Sequence, residues 1–251
     1  MIPKIIHFVS LGPTSKTIEK KIEYLRRKFS DYHFILWNED NWSISNHDFA
    51  AKAYADGQYA FVSDVIRLDV LYRFGGIYLD TDMIMLKAPD QILDNRLVFG
   101  FLFNNTISTS FMAAEPKNRE IGELFKLYDK VEIVDIIGEY ETSNNSLITS
   151  YLIERYPSLK LNNSLQELDF GVVLYPKEYF TLETYFDHKT IMYHEFSNSW
   201  SSTYTRRKKR IRTVVKKIIG RKNMNHLLVY KGAKRNAWIV FRNKLLQTDK
   251  Y

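Results

Sequence analysis

Ser63–Asp82 reads SDVIRLDVLYRFGGIYLDTD, and this stretch decides the fold. The apolar residues Val62, Ile66, Val70 and Phe74, starting just before it, recur at helical spacing and form a core stripe over Ala60–Phe74. Gly75 is placed to stop that helix, and Gly76 gives room for a tight entry into a short buried strand, Ile77–Leu79. Asp80 and Asp82 follow at once. In an open α/β sheet, ligands sit beyond the carboxyl ends of the strands. Two carboxylates there suit a hard divalent cation that holds phosphates. The stretch therefore predicts an α/β enzyme acting on a nucleotide-diphosphate compound.

The flanks extend this pattern. Pro3–Ser10 carries the apolar run of a buried first strand. Thr14 or Ser15 caps a helix through about Phe29, with Ile18, Ile22, Leu25 and Phe29 on one stripe. Tyr32–Trp37 (YHFILW) reads as a second strand. Strand, helix, strand is a Rossmann-like start. Downstream, a helix is predicted over Asp48–Asp56. Strands are predicted over Leu97–Phe103 and Ser108–Ala114, joined by an Asn-rich turn. Helices follow over Glu115–Val131 and Ser143–Arg155, with short strands at Val172–Tyr175 and Thr190–His194. Two more helices are expected from Tyr204 onward.

Composition bounds the class. The 251 residues are 45% hydrophobic and 15% aromatic, which is globular and allows one large domain with a small appendage. With no cysteine, disulfides and thiolate metal sites are excluded. No run approaches the roughly 18 apolar residues of a membrane span, and the N-terminus lacks a convincing signal peptide. The expectation is a cytoplasmic protein. The net charge of +7 is local: Arg206–Lys222 (RRKKRIRTVVKKIIGRK) holds ten Lys or Arg and no acid, and the remainder is slightly acidic.

Four side chains carry the chemistry. In extended backbone, Asp80 and Asp82 share a face and can converge on Mg²⁺ or Mn²⁺; the bland alternative is a pair of solvated turn residues. Asp64 and Arg67, three apart on a helix, share a flank away from the core stripe. A carboxylate beside a guanidinium can grip vicinal hydroxyls; the alternative is an ordinary surface ion pair.

The combination S-D-x-x-R, then L-Y-x-x-G-G-I-Y-L-D-x-D, resembles the sugar-binding region of glycosyltransferase family 32. The opening IPKIIHFVSLG resembles the family's first strand and nucleotide loop, and HEFSNSW (His194–Trp200) its closing motif. The likeness covers roughly residues 2–114 and 190–200. It implies a GT-A fold, Rossmann-like and nucleotide-sugar-binding, with a divalent cation, Mn²⁺ or Mg²⁺, and retention of anomeric configuration. It also implies a UDP- or GDP-sugar donor and a saccharide acceptor. By the same resemblance, Asp64, Arg67, Asp80 and Asp82 form the catalytic group. Asp82 ligates the metal most directly, Asp80 meets the metal or the donor ribose, and His194 or Glu195 completes the shell. Ser63, Asp64 and Arg67 hold the donor sugar, and Asn198, Ser199 and Trp200 meet the diphosphate. Phe8 and Ser10 lie in the nucleotide loop, where the backbone of Ser10, Leu11 and Gly12 offers contacts. Trp37 is placed near the nucleobase, with core packing as its alternative.

The expected organisation is a transferase domain over 1–203 and a basic helical extension over 204–251. In the extension, Ile211, Val214, Val215, Ile218 and Ile219 form an apolar stripe flanked by cations. It is suited to an anionic membrane surface, or to packing on the domain with its basic face solvated. No nucleic-acid motif accompanies the charge. The whole points to a bacterial surface-polysaccharide transferase with a saccharide acceptor, lipid-linked in one version, peripheral on the inner face of the cell membrane. A nucleotide-sugar hydrolase or nucleotidyltransferase and a non-catalytic membrane-binding module are the alternatives.

Overall fold

The computed structural model describes residues 1–12, 15–133, 144–184, 188–196 and 206–232. β1 (Ile5–Val9) leads through α1 (Lys16–Lys28) to β2 (His33–Trp37). Ser15 caps α1, its side chain accepting from the Ile18 amide, and Ile22 and Leu25 are buried. The helices α2 (Asp48–Ala55) and α3 (Tyr59–Phe74) precede β3 (Gly76–Leu79) and β4 (Met83–Met85). The hairpin β5 (Leu97–Phe103) and β6 (Thr106–Ala114) follows. Then come α4 (Arg119–Leu127), α5 (Asn144–Arg155), β7 (Gln166–Leu168), β8 (Val172–Tyr175), the single turn α6 (Lys177–Phe180) and β9 (Met192–His194). The chain continues through α7 (Arg206–Ile219) and α8 (221–232).

Seven strands form one mixed sheet in the order β2-β1-β3-β6-β5-β8-β7. β1 is parallel to both β2 and β3, whereas β6 is antiparallel to β3 and β5. A separate antiparallel pair joins β4 to β9. Helices cover both faces of the large sheet, as in a doubly wound fold. Period-2 alternation sorts β3: Ile77 and Leu79 point to one core with Ile22, Leu25 and Phe34. Tyr78 points to the other, with Val62, Ile66 and Val70 of α3. The α/β class and the Rossmann-like start are present as expected.

Three local expectations need correction. α3 is buried nearly all round, Val65, Leu68 and Leu71 as fully as Val62 and Ile66, so its simple stripe understates it. The helix expected over Glu115–Val131 spans only Arg119–Leu127. Pro116 and a left-handed Lys117 form a turn, and Asn118 caps the helix instead. The short strands β4 and β7 were not foreseen; three residues each carry too little pattern to be read.

Two neighbouring strands, β1 and β3, connect in opposite directions around the sheet, which marks a switch point. The α3–β3 connection is compressed into Gly75 and Gly76, at φ 64° and 98°. A Cβ on Gly75 would lie 2.6 Å from the Pro116 nitrogen, and one on Gly76 2.6 Å from the Ile5 oxygen. The turn is clamped by His7. Its Nδ1 accepts from the Trp37 indole N–H at 3.0 Å, so Nε2 carries the proton and donates to the Gly75 carbonyl at 2.8 Å.

Candidate active site

The glycine turn sets the site by length alone. Asp64 lies eleven helical residues before Gly75, about 16 Å at 1.5 Å per residue. Asp80 lies five extended residues after it, about 16 Å at 3.3 Å per residue. Folding the strand back along the helix therefore brings Asp64 beside Asp80, and Arg67 one turn inward. Arg67 lies between them, with Nη2 2.9 Å from Asp64 and 3.5 Å from Asp80. Its Nη1 donates to the Thr109 carbonyl at 2.7 Å, and Nε and Nη2 reach the backbone oxygen and hydroxyl of Ser63 at 3.3 Å. The guanidinium also stands 4.5 Å from the Tyr78 ring centre, and the Tyr78 hydroxyl donates to Asp80 Oδ1 at 2.8 Å.

This is not a surface ion pair. Asp64 and Arg67 are each only 5% exposed. Burial pushes the Asp64 carboxyl up to about 7, against the pull of Arg67 and with a further push from Asp80. A buried carboxyl beside a rigid guanidinium fork presents paired acceptors and donors, the arrangement that recognises sugar hydroxyls.

Asp80 and Asp82 converge for a different reason from the one expected. β3 ends at Leu79, and Asp80–Asp82 forms a tight turn in which the Met83 amide donates to the Asp80 carbonyl at 2.9 Å. The Asp80 amide extends the β3–β6 ladder to the Ser110 carbonyl. Past the turn, β4 pairs with β9, Met83 opposite His194. That register puts Glu195 across from Asp82, and the Glu195 amide donates to the Asp82 carbonyl at 3.1 Å. His194 Nε2 lies 2.9 Å from Asp82 Oδ1.

One ligand atom each from Asp80, Asp82 and His194 fit within 4.8 Å of one another. Two carboxylates and an imidazole, each partly open to solvent, are a donor set that fits Mn²⁺ or Mg²⁺ with further positions left for water or phosphate. The His194 ring is steadied by the edge of Phe196, with centroids 4.4 Å apart. Its Nδ1 is buried without a hydrogen-bond partner among the described residues.

Other sequence-derived residues fall differently. Trp37 is 7% exposed, gives its N–H to His7 and stacks on Phe74 at 5.6 Å. It occupies the core, the alternative weighed for it. Phe8 is 1% exposed and packs in the α1-side core. The amides of Ser10 and Gly12 are already bonded, to the Trp37 carbonyl and to Glu39 Oε1. Ser63 stands beside Arg67 as described. Asn198, Ser199 and Trp200 lie outside the described residues.

Two groups at the site lie outside the set of residues that the sequence assigns to it. Lys21, in a run of charged residues on α1, reaches over the Phe8 ring and donates to the carbonyls of Thr81 and Met83, fastening both sides of the aspartate turn. Burial lowers its pKa, against the attraction of Asp82, Glu195 and Asp80. Asn144 and Asn145, at the start of α5, both accept from the Thr109 hydroxyl, and Asn145 also accepts from the Thr109 amide at 2.8 Å. They fix the residue whose carbonyl holds Arg67.

Comparison with known proteins gives three likenesses. The family described as "Glycosyltransferase sugar-binding region containing DXD motif" matches residues 15–99. Inositol phosphoceramide mannosyltransferase 3 of Schizosaccharomyces pombe (strain 972 / ATCC 24843) is 30% identical over 102 residues, covering 37% of this chain. The match spans 27% of that protein's length. Among solved structures, the PaToxG glycosyltransferase is similar at a TM-score of 0.43 and 19% identity, covering 63% of this chain and 71% of its own. The segment that holds Asp64, Arg67, Asp80 and Asp82 is thus similar to the sugar-binding region of DXD-containing glycosyltransferases.

Proposed function

We propose that the protein is a metal-dependent, retaining glycosyltransferase that moves a sugar from a UDP- or GDP-sugar to a saccharide acceptor. The observation that carries this reading is the meeting of Asp80, Asp82 and His194 within 4.8 Å, beside the buried Asp64–Arg67 pair. Asp64 and Arg67 hold the donor sugar through its hydroxyls. Ser63 and Thr109 fix the guanidinium, and Tyr78 orients Asp80. Asp80, Asp82 and His194, with Glu195 adjacent, hold a divalent cation. Mn²⁺ or Mg²⁺ bound there supplies charge neutralisation for the departing diphosphate. Lys21 keeps the aspartate turn in register. Asn198, Ser199 and Trp200 are proposed to meet the diphosphate. No side chain is assigned as general base, because in same-face transfer the leaving phosphate can accept the acceptor's proton.

Surface-polysaccharide synthesis in a bacterium, on the cytoplasmic side of the membrane, is the proposed setting. The name of the curated relative, a mannosyltransferase acting on inositol phosphoceramide, supports a lipid-linked acceptor and makes GDP-mannose the first donor to try. The test is incubation with a panel of UDP- and GDP-sugars and glycan acceptors, with product configuration read by NMR. A glycoside that keeps the donor's anomeric configuration is expected. An inverted product overturns retention, and free sugar with no glycoside product overturns transfer.

A further inference from the structure

We propose that α7 docks on an anionic lipid bilayer surface and that α8 ties this docked helix to the metal-ligand strand. Exposed apolar residues concentrate at this end of the protein. Of the eleven large hydrophobic side chains more than a third exposed among the described residues, five lie between Val214 and Tyr230. Val214 and Ile218, one helical turn apart, are 54% and 77% exposed, and Ile219 is exposed beside them. The domain-packing alternative for this stripe is therefore not the arrangement found for these three residues. Monomeric proteins rarely leave such a row open without an occupant.

Charge selects the occupant. α7 itself carries eight of the ten cations of 206–222 and no acid. Cations flanking an apolar row on a helix that lies flat match a surface of anionic headgroups over acyl chains. A protein partner would need a matching acidic apolar groove, and a nucleic acid would leave Ile218 and Val214 in water. No described helix is long and apolar enough to cross a membrane, so the contact is in the plane of the interface.

α8 makes the docking consequential. Arg221 pairs with Glu183 at 2.8 Å and covers the Tyr193 ring at 4.2 Å. Lys222 donates to the Thr184 carbonyl. Asn225 donates to the carbonyl of His194 at 3.1 Å. Val229 packs with Leu102, Phe103 and Leu182. A bilayer that holds α7 thus sits at a fixed place relative to β9. Docking is independent of the transferase reading; only its use, bringing a lipid-linked acceptor to the site, rests on that reading.

The test is co-sedimentation of the full chain with equimolar phosphatidylcholine–phosphatidylglycerol vesicles, against phosphatidylcholine alone. Binding to the anionic vesicles only, weakened by salt, is expected. Lys217→Ala should lower partitioning roughly fivefold, at one cation's attraction to the surface. Ile218→Asp should lower it roughly tenfold or more. Both positions are exposed, and unchanged circular dichroism would confirm that the variants fold. No pelleting with anionic vesicles, pelleting that Ile218→Asp leaves intact, or binding to single-stranded RNA with none to vesicles would each overturn the proposal.

Discussion

Replacing Arg67 with Met should produce a stability loss that grows with pH. In the folded protein the Asp64 carboxyl is pushed up to about 7 by burial, and in an unfolded chain it titrates near 3.9. The folded state holds the proton more tightly. Its stabilisation from Asp64 is therefore complete below about pH 3.9 and is lost as pH rises towards 7. Above that, the wild-type carboxylate is ionised beside Arg67 and its pH dependence levels off. Without Arg67, burial acts on Asp64 unopposed and the proton is held still more tightly. The decline then continues above pH 7 at about 1.4 kcal/mol per unit. At about pH 8.5 the variant should lose about 2 kcal/mol beyond its loss at about pH 6. The loss near pH 6 should be about 1–3 kcal/mol, from the buried Thr109 carbonyl left without its donor. Asp80 contributes less, since its side chain is 31% exposed and keeps water. Urea unfolding of wild type and variant in chelator, at both pH values, measures this directly. An equal loss at both, or a larger one in acid, would refute the assignment of Asp64 as a carboxyl held half-protonated near neutrality.

Two further outcomes follow from the same contacts. Burial lowers His7 to about 4, against the pull of the Gly75 carbonyl. Stability should then be full above about pH 6.5 and fall by about 3 kcal/mol as pH drops towards 4, because the unfolded chain takes up the proton first. Acid unfolding curves of His7→Phe should lack that step, and an unchanged pH slope would sink it. Lys21→Met should reduce turnover about tenfold, since one or two charge-assisted bonds to the aspartate turn are lost. Lys21→Arg should retain more activity, and wild-type turnover in Lys21→Met would remove its positioning role.

How far the sequence discloses the site depends on how local each cause is. Asp64, Arg67, Asp80 and Asp82 are separated by one helix and one strand. Their spacing around Gly75–Gly76 encodes the convergence, and a reader of the chain can find it. The reason for the Asp80–Asp82 approach is less visible, because a turn and an extended strand place i and i+2 carboxylates in similar neighbourhoods. His194 is far off in sequence and arrives only through the β4–β9 register, so a closing motif marks it but no periodicity does. Lys21 is indistinguishable from the other cations of α1 until the helix is seen lying over the turn. The burial of Asp64 and Arg67 was also hidden. α3 packs against α2, α4 and β6 besides β1 and β3, a tertiary fact that helical spacing does not contain. Trp37 shows another limit: an aromatic at a strand end suits a nucleobase or the core, and only the tertiary structure shows that a buried His7 takes its N–H.

The central claim is that Asp80 and Asp82 hold a cation for a nucleotide-sugar donor, and nucleotide release tests it most directly. Wild type and Asp82→Ala would be compared across UDP- and GDP-sugars, with Mn²⁺ or with chelator, in the presence of acceptor. The account predicts release of one nucleotide from one donor class, abolished both by chelator and by Asp82→Ala. Release that survives chelation, or an Asp82→Ala enzyme as active as wild type, would contradict it.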